Sequence, residues 1–173
     1  MATHDIIAFS GTISGGHNSI QSLPRDPATT YRQGEWVTLA AGVIDETAGA
    51  AGGFVFDPTI HYIAAEDGTQ RLDRVGDTRY VNPPNTGLLA PVYAVVQGSE
   101  FITDNVYNGT DTLVAPTAAD IGNDCGGHVT VAGVHGIDIG DTGLKIVRVL
   151  NADKKDITVA GGAGVYAVFT SDT

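Results

Sequence analysis

The chain is expected to fold as an all-β protein: an extended N-terminal arm followed by a largely antiparallel β-sandwich or β-barrel body, with little or no helix. Composition points there first. Among 173 residues stand 23 Gly and 16 Asp but only 4 Glu, 3 Lys and 1 Met, a balance rich in turn formers and poor in the straight-chain residues that fill helices. Periodicity agrees, because no window of eleven or more residues places apolar side chains at three- and four-residue spacing. Punctuation is the third sign: short β-favourable runs recur with turn signals between them.

The first 24 residues, MATHDIIAFSGTISGGHNSIQSLP, contain no Lys or Arg and scatter Ile6, Ile7, Phe9 and Ile13 among Gly, Ser and Thr. Such a segment has too little apolar area for a core of its own, yet exposed Ile and Phe are costly unless they pack on the body or on a neighbour. An attachment arm over residues 1–24 is one reading. An ordinary first strand at Asp5 to Ser10 is the other.

The body spans residues 25–173, and the proline pair within Asn82 to Gly87 cannot continue a ladder, so it divides possible sub-lobes 25–87 and 88–173. Expected strands are Glu35–Ala40, Gly53–Phe56, Ile60–Ala65, Thr78–Val81, Leu89–Val96, Thr112–Ala115, His128–Val134, Leu144–Leu150 and Gly164–Thr170. In His128–Val134, Val129 and Val131 alternate with polar residues, as in a half-buried strand. Gly164–Thr170 is apolar on both faces and reads as a central strand or one covered by a partner. Asp67-Gly68 and Asn108-Gly109 suit tight hairpins, and Gly161-Gly162 separates the last two strands. Only Thr117 to Ile121, with Thr117 as cap, has the letters for a turn of helix.

Charge and cysteine usage narrow the function. A formal net charge of −11 repels nucleic acid and anionic lipid, and Asp73 and Asp77 interleave with Arg71, Arg74 and Arg79. Cys125 is the single cysteine, which rules out an intrachain disulfide. No basic region precedes an apolar stretch at the start, and the longest apolar run, Leu88 to Val96, is interrupted by Pro91, so neither a signal peptide nor a membrane span is expected.

The five histidines, His4, His17, His61, His128 and His135, do not pair at the spacing of familiar zinc motifs. Cys125, His128, His135 and Asp138 can gather around one hairpin, as metal ligands or as a Cys/His pair, but a buried Cys and surface-facing His explain the same letters. Residues 136–143 resemble half a calcium loop without its closing Glu and read as a solvated turn. Residues 160–164 are glycine-rich but lack the Lys-Ser/Thr of a phosphate loop. No nucleophile elbow is present. No catalytic residue, metal or cofactor is therefore expected.

The order of features is similar to that of capsid decoration, or cement, proteins of tailed bacteriophages. The resemblance rests on a short arm without Lys or Arg, Leu23-Pro24-Arg25, the phrase Tyr31-Arg32-Gln33-Gly34-Glu35-Trp36-Val37-Thr38-Leu39 with the small-residue turn Ala40-Ala41-Gly42, then Ala119-Asp120-Ile121-Gly122, Leu144 to Leu150 and the final strand. It implies a structural virion protein on the outer surface of the capsid, made in the bacterial host cytoplasm, with the major capsid protein and copies of itself as partners. A trimer is favoured over a dimer. Ile6, Ile7, Phe9, Ile13, Leu23, Arg25 and Val168 are the candidate capsid- or subunit-contact residues. The alternative is a receptor- or carbohydrate-binding β module of a fibre or spike.

Overall fold

The computed structural model of the chain describes residues 8–12, 20–26, 29, 31–49, 52–65 and 89–173. These residues form strands and turns, with one short 3-10 turn at Ala118–Asp120 and no α-helix among them. In chain order the strands are β1 (Ala8–Thr12), β2 (Ile20–Pro24), β3 (Trp36–Ala40), β4 (Val43–Glu46), β5 (Gly53–Phe54), β6 (His61–Ala64) and β7 (Leu89–Ala94). They continue as β8 (Ser99–Thr103), β9 (Val106–Tyr107), β10 (Asp124–Val129), β11 (His135–Asp138), β12 (Leu144–Leu150) and β13 (Tyr166–Ser171).

Two sheets result. The larger runs β1-β8-β13-β12-β10-β11-β9, with β5 also pairing with β10; the smaller runs β2-β7-β6-β3-β4. All ladders are antiparallel except the short β9–β11 pair. The smaller sheet curls on itself, because Arg25, next after β2, bridges Ile44 in β4 and Asp26 N–H donates to the Ile44 carbonyl at 3.1 Å. Residues on both sides of position 87 contribute to both sheets.

The curl explains why β3 and β6 are apolar on both faces. Trp36 and Ile63 point into the core between the sheets, together with Phe101, Cys125, Ile137, Leu144, Ile146 and Phe169. Val37, Tyr62 and Ala64 point the other way, into a second cluster with Ile44, Ala90 and Val92. Successive strand residues face opposite sides, so a strand with two buried faces must be apolar throughout. Trp36 also ties the sheets together: its indole Nε1–H donates to the Gly136 carbonyl at 2.7 Å, and its ring contacts Phe54, Phe56 and Phe169. Complete burial of such a side chain contributes about 1.5–3 kcal/mol before ordering costs.

β13 behaves as its two-sided pattern predicts. It lies between β12 and β8, and Ala167, Val168 and Phe169 are all fully buried. β12 occupies the expected Leu144–Leu150. The turn at Thr117 also forms, with the Asp120 carboxylate accepting from both the backbone N–H and the hydroxyl of Thr117.

Elsewhere the expectations need correction. The expected strand His128–Val134 begins earlier and stops at Val129. Thr130 to Val134 is a turn, closed by hydrogen bonds from Gly133 N–H to the Thr130 carbonyl and from Val134 N–H to the Thr130 hydroxyl, with Gly133 at φ 77°. Val131 is consequently 72% exposed instead of alternating inward. Thr112–Ala115 contributes only an isolated bridge from Leu113 to Tyr107. Residues 136–143 are not a solvated turn throughout, since Gly136 to Asp138 is buried in β11. Thr78–Val81, Asp67-Gly68 and Asn82–Gly87 lie outside the described residues.

β1 pairs with β8 as the outermost strand of the larger sheet, and β2 pairs with β7 at the start of the smaller sheet. The N-terminal segment thus lends a strand to both sheets.

Candidate functional site

The β10–β11 hairpin carries four of the residues singled out by their chemistry, and its register sorts them. Gly126 opposes Asp138, Gly127 opposes Ile137, His128 opposes Gly136 and Val129 opposes His135. Opposed residues share a face and alternate ones change it. His128 and Asp138 therefore lie on one face, Cys125 and His135 on the other. Cys125 sits in the core, where burial pushes its thiol pKa far up. The histidines are not surface-facing as expected: His128 is wholly buried and His135 is 5% exposed. Among the described residues no group of three or more His, Cys, Asp or Glu is arranged to hold a metal ion.

On the first face His128 lies between two carboxylates. Nδ1 is 3.1 Å from Asp138 Oδ2 and Nε2 is 3.0 Å from Asp111 Oδ1. The Tyr107 ring stacks on the imidazole, centroids 4.1 Å apart at 17°. Asp138 also accepts the backbone N–H groups of Gly109 and Gly140, and Asp111 accepts that of Val131. The Val131 N–H and then His128 hold the Asp111 carboxyl below the usual range. Burial and then the charge of Asp138 raise the carboxyl of nearby Asp141. Both imidazole nitrogens are thus committed to carboxylates, leaving neither for a nucleophile. The cluster fastens the loop of residues 108–111 and the hairpin turn onto β11.

On the second face Cys125 and Ile137 are buried in the core, and His135, at the start of β11, borders a cleft. His135 Nδ1 accepts the Trp36 backbone N–H at 3.0 Å, which places the ring proton on Nε2. That nitrogen is 4.0 Å from Glu35 Oε2. Burial pulls the His135 pKa down to about 4. Glu35 belongs to a tight turn: its N–H donates to the Arg32 carbonyl at 3.1 Å, its Oε2 accepts the Arg32 N–H at 2.8 Å, and Gly34 takes φ 85°. Glu35 and His135 stand on a cleft of about 380 Å³ that Tyr31, Arg32, Glu46 and Thr47 also line.

His61 is on neither face. Its Nδ1 accepts the Asp57 N–H at 2.9 Å, its ring lies 4.6 Å from that of Phe54, and burial lowers its pKa.

The candidate contact residues separate as well. Arg25 and Val168 are buried within the single chain. Arg25 is 2% exposed, donates Nη2–H to the Thr29 carbonyl and covers the Tyr31 ring at 5.5 Å. Leu23 is half-buried against the core of the curled sheet. Phe9 lies in β1 opposite Phe101. Ile6, Ile7 and Ile13, like His4 and His17, lie outside the described residues.

Sequence reasoning passed over Glu35, Tyr107 and Asp111. Glu35 had a local signal, a Gly-Glu-Trp turn at the start of a strand, whereas Asp111 meets His128 from 17 residues away. Comparison with protein-family models, with curated proteins and with solved structures finds no match to this chain.

Proposed function

We propose that this chain is a structural protein of a bacteriophage virion, one that binds the outside of the head and cements neighbouring major capsid subunits. The observation that carries the reading is the placement of the N-terminal segment. β1 takes the outermost position of the larger sheet, and Ile20, Gln21, Ser22 and Pro24 of β2, at the start of the smaller sheet, are exposed. An edge strand presents unpaired backbone groups to which another chain can add, and its exposed side chains supply the selectivity. Ile20, 58% exposed at the start of β2, is an apolar contact of the kind a neighbouring subunit buries. Many weak sites of this kind on one lattice combine by multivalency, and self-association as a trimer would align three such edges.

The test is to locate the chain on particles. Labelled protein is expected on the head exterior in electron micrographs, and removal of residues 2–19, which takes away β1 and spares β2, should abolish that labelling while the body stays folded. Label confined to fibres, or truncated protein that decorates heads at full occupancy, would overturn the proposal.

A further inference from the structure

We propose that Asn108 is a latent self-modification site: its side-chain amide is attacked by the Gly109 nitrogen and becomes aspartate or isoaspartate once Asp138 releases the Gly109 N–H. The site is independent of any role on a capsid.

Asparagine followed by glycine meets least obstruction to this ring closure, because glycine carries no Cβ beside the attacking nitrogen. Gly109 stands at φ 69°, a conformation that itself favours glycine, and the space where a Cβ would point is open. Asn108 and Gly109 are exposed in the loop after β9, within reach of water. In the reaction a bond forms between the Gly109 nitrogen and Asn108 Cγ, the bond from Cγ to the amide nitrogen breaks, and ammonia leaves with the proton that Gly109 gives up. Water then opens the cyclic imide at either carbonyl. The sum is amide plus water to acid plus ammonia, with no other reactant.

In the folded chain the nucleophile is held. Gly109 N–H lies 2.9 and 3.0 Å from the two carboxylate oxygens of Asp138, which is wholly buried. Attack requires the nitrogen to lose its proton, and a carboxylate at this distance stabilises the N–H and repels the anion that would replace it. Asp138 is itself fixed by Gly140 N–H at 2.7 Å and by His128, while Asp111 ties the far end of the loop to His128 and to Val131 N–H. The nitrogen is therefore free only when the loop lifts. Reaction then keeps the loop from closing. Asn108 Oδ1 and Asp138 Oδ1 lie 3.8 and 3.1 Å from one point, the place a Cβ on Gly140 would take, so a carboxylate at 108 faces the one that held the loop.

The experiment holds the full folded chain at neutral pH beside a synthetic peptide of residues 105–112, and quantifies Asn108 and its two products by peptide mapping with mass spectrometry. Asn108 is expected to be lost at least about tenfold more slowly in the folded chain than in the peptide, the factor that a hydrogen bond to a charged group is worth. Asp138→Asn, which keeps the shape of the side chain and removes its charge, should move the rate towards that of the peptide. Should Asp138→Asn fail to fold, the wild type decides by a second measurement. Hydrogen exchange at the Gly109 amide needs the same opening of the loop, so exchange and loss of Asn108 should be slowed by the same factor relative to the peptide. Loss of Asn108 at the peptide's rate in the folded wild type, an unchanged rate in a folded Asp138→Asn, or two unequal factors overturns the proposal.

Discussion

The two faces of the β10–β11 hairpin carry the same residue type in opposite electrical settings. His128 is enclosed by Asp111, Asp138 and the Tyr107 ring, so every polar atom of its ring meets an acid. His135, opposite Val129, meets a backbone N–H on one side and a cleft on the other, and desolvation alone sets its titration. The difference teaches that a histidine's role is set by what the neighbouring elements bring to it. β9 and the loop after it bring Tyr107 and Asp111 to one face, while β3 brings the Trp36 amide to the other.

Removing the acid that anchors the first face should have the largest effect. Asp138→Ala leaves His128 and the N–H groups of Gly109 and Gly140 without their shared acceptor in the interior. Leaving buried donors of this kind without an acceptor costs about 1–3 kcal/mol each, to be read from urea denaturation. A loss below about 1 kcal/mol, the net worth of one ordinary hydrogen bond, would show that water replaces the carboxylate and that the face is not sealed.

Acid should act next, and on the second face. The folded pKa of His135, about 4, is below the free value, so the unfolded chain binds the proton more readily. Its contribution is therefore complete above about pH 6.5 and disappears as the pH falls towards 4, amounting to about 3 kcal/mol. Replacing His135 with Gln should flatten that part of the stability profile. An unchanged slope between pH 6.5 and 4 would assign it to other groups.

Asp111→Asn should have the smallest effect, because this side chain is one-third exposed and the amide oxygen still accepts from Val131 N–H. Its visible consequence should be faster hydrogen exchange at Val131 and in the loop of residues 108–111, with the global midpoint little changed. Equal loss of stability in Asp111→Asn and Asp138→Ala would mean that the two carboxylates act as one unit.

Much of the scaffold was legible in local pattern. Leu144–Leu150 and the two-sided final strand carry their burial in their own letters. The β3–β4 hairpin was missed although its turn was visible as Ala41-Gly42, where both residues take positive φ. β10 was obscured by Gly126 and Gly127, which have low strand propensity, yet a side chain at Gly127 would strike the Phe54 ring. A strand built on glycine for close approach looks like a loop until its neighbour is known.

The sequence by itself determined that this is a β protein, where its strongest strands and turns fall, and that Cys125 can form no disulfide within the chain. Those properties follow from alternation, turn chemistry and counting, which act within a few residues. Only the tertiary structure decided that the smaller sheet curls so that β3 is buried on both faces, that Arg25 lies inside the fold, and that His128 and His135 part company. The physical reason is the two-residue period of a strand: one step of register moves a side chain to the opposite face. What waits there is brought by Asp111, 17 residues from His128, or by Trp36, 99 residues from His135.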